Sequence, residues 1–266
     1  MKIDYQETTS DLLARIDIHC KYGSRDIDQW MLDLLQVQPG SRILDVGCGA
    51  GKQCFLFHQA LHGQAEITGG DVSAELLAKA RQENTRTGAH IHFMELDFNQ
   101  RFPFDDDGFD LLTACFTIYY AADIPFTIRE MHRVIKPGGR LFTTGPMLEN
   151  KRLFYEIIQA ATGKPIPPMP GSSRYGSQIL SAIQSQFAQV QLHIFENPLV
   201  FDTIEPFLAY TRASLSEDRR LWKNLFDGPD AFEHVMDQIK VEAAQRLAQD
   251  GKLVMTKVVG GIVATK

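Results

Sequence analysis

Short apolar runs alternate with longer stretches of helical period between residues 42 and 144. This alternation is typical of βαβ units, in which helices connect parallel strands. It predicts strands at 42–46, 65–71, 91–96, 110–115 and 139–144. Helices are predicted at 52–61, 73–87 and 125–135, with Ser73 as an N-cap and Lys136-Pro-Gly-Gly139 as the turn that ends the last helix.

The flanking segments have a different pattern. Residues 12–35 carry apolar side chains at helical spacing, broken at 22–24, and predict two helices before the sheet. A proline-rich, exposed connection at 164–173 is followed by a predicted helix at 177–187 and a strand at 190–196. An amphipathic helical stretch at 204–249, interrupted at 227–229, precedes a last strand at 258–265. The two late strands are predicted to close the sheet edge, with a helical cap inserted between them.

The chain is therefore predicted to be an α/β protein with one sheet-based core. Residues 1–146 would hold the N-terminal helices and the ligand-binding core, and residues 147–189 a connection and a helix. Residues 190–197 and 253–266 would be closing strands of the core, and residues 198–252 the helical cap.

Composition narrows the class of protein. The chain has 266 residues and a formal charge of −6, which argues against a nucleic-acid partner because such proteins usually present a basic face. Its four cysteines form no CxxC pair, so neither a disulfide framework nor a metal site is predicted, and the acidic run 105–107 is interpreted as a solvated turn. No apolar run approaches the ~20 residues of a membrane span, and the start lacks a leader pattern. A cytoplasmic protein without membrane insertion is expected.

A glycine-rich loop stands between the first predicted strand and the first helix of the core. Gly47, Gly49 and Gly51 allow the backbone to turn sharply and a ligand to approach closely at the positive end of a helix. The alternative interpretation is an ordinary tight turn. The spacing is GxGxG, whereas the dinucleotide fingerprint is GxGxxG, which disfavours a nicotinamide oxidoreductase.

Acidic residues end the next two predicted strands. Asp71 follows the glycine loop by twenty residues, where a carboxylate can accept hydrogen bonds from both hydroxyls of a ribose. Asp97 ends the third strand, where it can accept from an adenine amine while Phe98 packs on the ring. Each residue alone could be a solvated loop residue, but this sheet edge is where open α/β sheets bind ligands.

Five motifs resemble those of the class I S-adenosylmethionine-dependent methyltransferases in order and spacing. They are ILDVGCGAG at 43–51, GD at 70–71, LD at 96–97, FDLL at 109–112 and EMHRVIKPGGR at 130–140. The resemblance covers about 42–144. It implies a Rossmann-like, seven-stranded, mostly parallel sheet with an antiparallel last strand, flanked by helices.

The resemblance also implies S-adenosyl-L-methionine as cofactor and S-adenosyl-L-homocysteine as product. The glycines and the backbone of Cys115 would lie beside the methionine part, Asp71 at the ribose, and Asp97 and Phe98 at the adenine. Tyr22 and Arg25, between the N-terminal helices, are candidates to close over the cofactor carboxylate. The predicted cofactor-binding set is Asp45, Gly47, Cys48, Gly49, Gly51, Asp71, Val72, Asp97, Phe98, Cys115 and Tyr22.

The acceptor is predicted to be a small molecule. The Asn/Asp-Pro-Pro-aromatic signature of base-modifying enzymes is absent after the fourth strand. The core is similar to ubiquinone and menaquinone C-methyltransferases, but Tyr119 and Tyr120 stand where those enzymes often carry two histidines. The insert before the last strand resembles trans-aconitate and malonyl-thioester methyltransferases, which esterify carboxylates.

Catalytic residues remain candidates only, because a base is needed only for an acceptor that is protonated at neutral pH. They are Tyr119, Tyr120, His19, Arg174 and Arg212, with Tyr175 and Tyr210 also considered. The two arginines could clamp an anionic substrate. A carboxylate or hydroxyl acceptor is slightly favoured over other O-, N- or C-acceptors. The alternative is a non-catalytic S-adenosylmethionine-binding subunit or sensor, and the sequence does not predict an oligomeric state.

Overall fold

A computed structural model describes residues 9–217, 222–226 and 231–266. Its strands are β1 (Arg42–Val46), β2 (Glu66–Asp71), β3 (His92–Glu95), β4 (Phe109–Cys115), β5 (Ile135–Pro146), β6 (Gln189–Phe201) and β7 (Leu253–Thr265). Its α-helices are α1 (Thr9–Tyr22), α2 (Ile27–Leu35), α3 (Lys52–Ala60), α4 (Ala74–Thr87), α5 (Ile124–Val134), α6 (Arg152–Thr162), α7 (Pro170–Arg174), α8 (Leu180–Gln184), α9 (Glu205–Glu217) and α10 (Ala231–Asp250). No helix within these residues has the length and apolar character to cross a bilayer.

All seven strands form one sheet in the order β3-β2-β1-β4-β5-β7-β6. Neighbours from β3 to β5 are parallel, whereas β7 is antiparallel to both β5 and β6. The strand order reverses beside β1, so the carboxyl ends of β1 and β4 border a crevice of the kind in which open α/β sheets bind ligands. The fold class implied by the resemblance, with an antiparallel last strand, is confirmed.

Two helices of the core begin and end as their capping residues dictate. The Ser73 hydroxyl accepts a hydrogen bond from the amide of Leu76, which confirms the predicted N-cap of α4. Gly88 at the other end adopts a φ of 68°, as a left-handed C-cap requires. Asp123 caps α5 in the same way as Ser73 by accepting from the amide of Phe126.

The prediction of a separate turn at Lys136-Pro-Gly-Gly139 is wrong. These residues belong to β5, which begins directly after α5 at Ile135. The register between β4 and β5 shifts here: Phe109 pairs with Ile135, and Leu111 pairs with Arg140. The extra residues are accommodated as a bulge in which Gly138 has a φ of 78°. Pairing with β4 therefore overrides the local turn signal.

The closing strands are longer than predicted. β6 continues to Phe201, which pairs with Leu253 at the start of β7. The connection between the two strands consequently runs from residue 202 to residue 252 and includes α9 and α10. The predicted helix at 177–187 is shorter, because a π-helical turn (Tyr175–Ile179) separates α7 from α8. The predicted interruption at 227–229 lies outside the described residues.

Three apolar clusters hold the structure together. One cluster packs α5 and the segment 175–187 against the sheet, and a second packs α2, α3 and α4 against it. The third, here called the cap core, joins α1, α6, α9 and α10 to one end of β6 and β7. Its largest buried side chains are Trp222, Tyr210, Phe154, Phe201 and Phe207. The cap therefore includes helices from outside the connection between β6 and β7.

Candidate functional site

The glycine loop after β1 has the backbone conformation that its sequence suggests. Gly47, Gly49 and Gly51 have φ values of 72°, 54° and 86°, in the left-handed region that side chains disfavour. A Cβ at Gly47 would lie 2.2 Å from the hydroxyl of Thr117, and one at Gly51 would collide with Phe93. A Cβ at Gly49 would instead meet only a Leu76 methyl, at 3.8 Å. Gly49 thus borders open space at the amino end of α3.

Asp71 is bound to this loop. One carboxylate oxygen accepts a 2.8 Å hydrogen bond from the amide of Gly49, and the other accepts a 2.8 Å bond from the amide of Ser73. The remaining lone pairs of both oxygens can accept from further donors, such as the hydroxyls of a ribose. Asp71 therefore connects the end of β2 with the glycine loop and the start of α4.

Asp45 lies beneath the loop and is 1% exposed. Its carboxylate accepts a 2.6 Å hydrogen bond from the Thr113 hydroxyl on β4, and the Cys54 sulfur lies 3.6 Å from its other oxygen. Burial raises the pKa of Asp45 to about 7, although both contacts act in the opposite direction. Because the Asp45 side chain is buried, it is not available for direct contact with a ligand. Within the predicted cofactor-binding set, it would support the loop.

Helix α2 covers the glycine loop from the amino-terminal side. Asp28 on α2 forms a 2.8 Å ion pair with Lys52, the first residue of α3. The sulfur of Met31 lies 3.9 Å from that of Cys115 at the end of β4. Burial raises the pKa of the Cys115 thiol far above its usual range, so this side chain is a neutral packing group. Cys48 in the loop is buried as well.

The predicted adenine contacts are only partly exposed to this edge. Asp97 accepts bonds of 2.9 Å from the amide and the side chain of Asn99 and one of 3.2 Å from Gln100. Phe98 packs partly against the core around α5. Val72, directly after Asp71, is 57% exposed and presents apolar surface at the end of β2. A contact between these residues and adenine stays a prediction.

Phe116 is a feature that sequence reasoning missed, because no local signal marks it. It follows Cys115 at the end of β4, has a φ of 56° and is 37% exposed. An aromatic residue in the left-handed region is uncommon and costs backbone strain. Its amide bonds the Thr144 carbonyl at 2.9 Å, and the next residue, Thr117, packs against Gly47. Phe116 therefore exposes an aromatic ring beside the glycine loop.

Tyr119 and Tyr120 lie in a short 3-10 helix (Ile118–Tyr120) after β4, with ring centroids 4.6 Å apart. Arg174 reaches this helix from α7. Its guanidinium donates to the Tyr119 carbonyl at 2.5 Å and to the Ala121 carbonyl at 2.9 Å. These bonds suit a positioning role of Arg174 toward the two tyrosines, and its binding of an anionic substrate stays a prediction.

Two further candidates, Arg212 and Tyr175, make contacts of surface pairing and of packing, respectively. Arg212 forms a bidentate ion pair with Glu233, at 2.7 and 2.8 Å, and its side chain is 50% exposed. Tyr175 is fully buried, donates a 2.7 Å bond to the Thr143 carbonyl, and packs where Gly145 lacks a side chain. Arg212 is therefore not brought to the glycine loop, and Tyr175 is a core residue.

The segment between α1 and α2 is fastened to β6. The Asn197 side chain accepts bonds from the amides of Ser24 and Arg25, at 3.0 and 3.2 Å. The Arg25 guanidinium donates to the Glu196 carbonyl at 2.8 Å, and the Tyr22 ring packs edge-on against Phe201. These contacts direct Tyr22 and Arg25 toward β6 and the cap core. Closure of either residue over a cofactor carboxylate stays a prediction.

His19 and Tyr210 meet inside the cap. Their rings stack with centroids 5.5 Å apart, and Lys151 Nζ lies 5.3 Å from the centroid of Tyr210. Lys257 acts electrostatically on both rings. The sequence marked the two rings as candidates but missed Lys151 and Lys257, because isolated lysines carry no local signal of burial.

Comparison with known proteins identifies the segment that holds the glycine loop. Residues 43–139 match the family model described as a methyltransferase domain. The demethylmenaquinone methyltransferase of Staphylococcus epidermidis is 32% identical over 141 residues, which cover 50% of this chain and 58% of that protein. The ubiquinone/menaquinone biosynthesis C-methyltransferase of Xanthomonas axonopodis pv. citri is 35% identical over 106 residues, covering 40% and 42%. The chain thus spans about half the length of the curated relatives it matches.

Solved structures share the fold over most of the chain. The YcgJ protein of Bacillus subtilis superposes with a TM-score of 0.58 at 17% identity, covering 90% of this chain and 97% of that one. A SAM-dependent methyltransferase from Aquifex aeolicus gives 0.54 at 17% identity, covering 72% and 91%. At such identities the likeness is one of fold. Residues 43–139 therefore match a methyltransferase domain, and the fold around them is one that solved methyltransferases share.

Proposed function

We propose that the protein is an S-adenosylmethionine-dependent methyltransferase that modifies a small-molecule acceptor. One observation carries the proposal: the amide of Gly49, in a left-handed loop that borders open space, is held by Asp71 at the end of the neighbouring strand. This arrangement places a carboxylate and a glycine-rich loop at the same edge of the sheet. A nucleoside joined to an amino acid fits such an edge.

The residues at this edge suit the cofactor in chemistry as well as shape. Asp71 retains acceptor capacity for ribose hydroxyls, and Val72 and Phe116 offer apolar surface. Gly47, Gly49 and the backbone of Cys115 would lie beside the methionine part. Cys48, Gly51 and Asp45 would support the loop from below, since they are buried.

Methyl transfer from S-adenosylmethionine requires little from the protein beyond positioning of the two reactants. S-adenosylmethionine supplies an activated methyl group on a sulfonium and leaves as S-adenosylhomocysteine. The chain contributes orientation of the acceptor and exclusion of water, which can provide much of the rate acceleration. Tyr119 and Tyr120, held by Arg174, lie after β4 and are candidates to contact the acceptor. A carboxylate acceptor would need no base, whereas a hydroxyl would.

Binding and turnover assays test this proposal. We expect purified protein to bind S-adenosylhomocysteine with a micromolar Kd in calorimetry and not to bind NAD. Asp71→Ala should weaken S-adenosylhomocysteine binding by about tenfold or more, the equivalent of one to two hydrogen bonds to a charged acceptor. Glu66→Ala, at the exposed opposite end of β2, is the matched control and should bind as the wild type does.

The same assays distinguish the alternative, a non-catalytic cofactor-binding subunit or sensor. Such a protein would bind S-adenosylhomocysteine but transfer no methyl group from labelled S-adenosylmethionine to any member of an acceptor panel of carboxylates, phenols and quinols. Binding of NAD alone would refute both.

A further inference from the structure

Cationic side chains converge inside the cap around one tyrosine. Lys151 Nζ lies over the Tyr210 ring, 5.3 Å from its centroid, and the His19 ring stacks on the same tyrosine at 5.5 Å. Lys257 and Arg15 are close enough for their charges to act on both rings. The group comes from α1, α9, β7 and the start of α6, four elements far apart in sequence. It is called the cationic cluster below and comprises Lys151, Lys257, Arg15, His19 and Tyr210.

The sheet fixes the position of Lys257. Alternation along β7 places it on the same face as Leu253 and Met255, which belong to the cap core. Its partner across the sheet is Asn197, the residue that fastens the segment between α1 and α2. Lys257 therefore lies on the cap-core face of β7, next to the end of α1 that carries His19.

Lys151 is brought to the cluster by a strained backbone. Its φ is 63°, and its amide donates a 2.9 Å bond to the Thr256 carbonyl on β7. The side chain is 2% exposed, and Nζ lies 3.5 Å from the Met169 sulfur and over the Phe154 ring. Lysine is rarely this buried unless it is paired, and Tyr210 provides a hydrogen-bonding partner for Lys151. Strained backbone conformations such as that of Lys151 cluster at functional sites.

Several polar atoms of α1 and α9 have no hydrogen-bond partner among the described residues. They include His19 Nε2 and the hydroxyls of Thr211 and Ser214, all of which are buried. Thr211 and Ser214 lie on the buried side of α9, next to Tyr210 and one turn beyond it. Buried polar groups in proteins are nearly always hydrogen-bonded, so these groups are available to bond a ligand, and each hydroxyl among them can donate.

The charges that act on His19, Tyr210 and Lys257 also favour an anionic ligand at this site. Burial lowers the pKa of His19 far below its usual range, and the charges of Lys257, Lys151 and Arg15 lower it further. Burial would raise the pKa of Tyr210, but those three cations outweigh it and lower that pKa to about 8. Burial, together with repulsion from Lys151 and Arg15, lowers the pKa of Lys257 to about 8, although attraction to Tyr210 and a hydrogen bond with it act in the opposite direction. Among the described residues, every charge that acts on His19 is positive.

From this convergence of cationic side chains and unpartnered polar groups around a buried tyrosine, we infer that the cationic cluster binds an anionic oxygen group, a carboxylate or a phosphate, of the methyl acceptor. The inference rests on the proposed function. The cluster adjoins the carboxyl end of β5, where Pro146 pairs with Val259 two residues beyond Lys257. Strands are about 4.8 Å apart, so β7 lies about 10 Å from β4, the strand beside the glycine loop. An acceptor held at Lys257 would therefore have to span about this distance to meet the methyl donor, less the reach of the lysine side chain.

The test uses small anions as probes on the full chain. Malonate is the probe for a carboxylate, and inorganic phosphate is the probe for a phosphate. Each is titrated into the protein in a calorimeter, and sodium chloride of equal ionic strength is the control titration. We expect one of them to bind the wild type with a Kd of about 1 mM. Lys257→Met should weaken that binding at least tenfold, whereas Lys257→Arg, which keeps the charge, should stay within threefold. Lys240→Met, which removes an exposed lysine of α10, is the matched control.

Tyr210 provides a second readout that a merely structural cluster would not produce. An anion bound beside Tyr210 raises its pKa, so at about pH 8 tyrosinate absorbance should fall as the anion is added. Tyr210→Phe should abolish this change. The six other tyrosines of the chain remain in that variant, so the loss would assign the change to Tyr210. The preferred probe identifies the anionic group.

The anion site and the proposed methyltransferase function can be refuted independently of each other. Equal anion binding by wild type and Lys257→Met, or no binding by the wild type at ten times the expected Kd, would overturn the anion site. S-adenosylhomocysteine binding should be unchanged in all Lys257 variants, since this residue lies two strands away from β4. Loss of S-adenosylhomocysteine binding by the wild type would overturn the proposed function whatever the anion data show.

Discussion

The hydroxyl of Thr113 donates a 2.6 Å hydrogen bond to the carboxylate of Asp45, and this pair lies buried beneath the glycine loop. The two residues face each other across β1 and β4, where they pair in register. A carboxylate in this position is desolvated, and its only described polar contacts are Thr113 and the thiol of Cys54. The loop that borders the cofactor edge is therefore supported by a group whose ionisation costs free energy.

Asp45 should make stability fall as the pH rises toward neutrality. Its folded pKa of about 7 lies above the unfolded value of 3.8, so the folded protein holds more protons between these values. The free energy of unfolding contributed by this group is present below pH 4 and is lost as the pH passes 7. Asp45→Asn, which cannot ionise, should lose less stability across this window, by on the order of 4 kcal/mol.

Urea denaturation at several pH values measures this difference between wild type and variant. Asp110 provides a control whose contribution to stability changes with pH in the opposite direction. Hydrogen bonds from Arg42 and Lys136 outweigh its burial and lower its pKa. Parallel stability curves for wild type and Asp45→Asn would show that the buried carboxyl is not perturbed.

Gly49→Ala should separate cofactor binding from folding. Its new Cβ has room in the protein, so the cost to folding is that of a left-handed alanine, about 1 kcal/mol. The same atom would occupy the open space beside the loop and weaken S-adenosylhomocysteine binding at least tenfold. Gly88→Ala is the matched control, because Gly88 has a φ of 68° and its Cβ would meet nothing within 4 Å. A loss of affinity in both variants would contradict the assignment of the loop.

The two arginine candidates should differ in stability. Arg174→Met leaves the carbonyls of Tyr119 and Ala121 without their donor and should lower the free energy of unfolding by about 2 kcal/mol. Arg212→Met removes only an exposed ion pair with Glu233 and should cost less than about 1 kcal/mol. Chemical denaturation followed by circular dichroism compares the variants. A larger effect at Arg212 would refute the positioning role of Arg174.

The cysteines should differ in reactivity. Cys20 is exposed, whereas burial raises the pKa of the Cys115 thiol and keeps it neutral. Brief treatment with iodoacetamide at mildly alkaline pH should therefore modify Cys20 and spare Cys115, as read by peptide mass spectrometry. The protein unfolded in guanidinium is the control, in which all four cysteines should react. Rapid modification of Cys115 in the folded protein would point to a reactive thiol.

The sequence by itself determined the parts of the molecule whose signals are local. β1 begins and ends at the predicted residues, Arg42 and Val46, because an apolar run is followed directly by glycines that cannot continue a strand. The N-cap at Ser73 and the left-handed glycines of the loop were predictable for the same reason. Each depends on a few neighbouring residues and on the conformations that those residues permit.

Only the tertiary structure decided which distant side chains meet. Lys136–Gly139 became part of β5 because pairing with β4 outweighs a local turn, and Phe116 took a left-handed conformation that nothing in its neighbours requires. The cationic cluster joins Lys151 and Lys257, 106 positions apart, through strand pairing and helix packing. Burial and charge at such a site arise from the sum of contacts across the fold, and no window of sequence contains them.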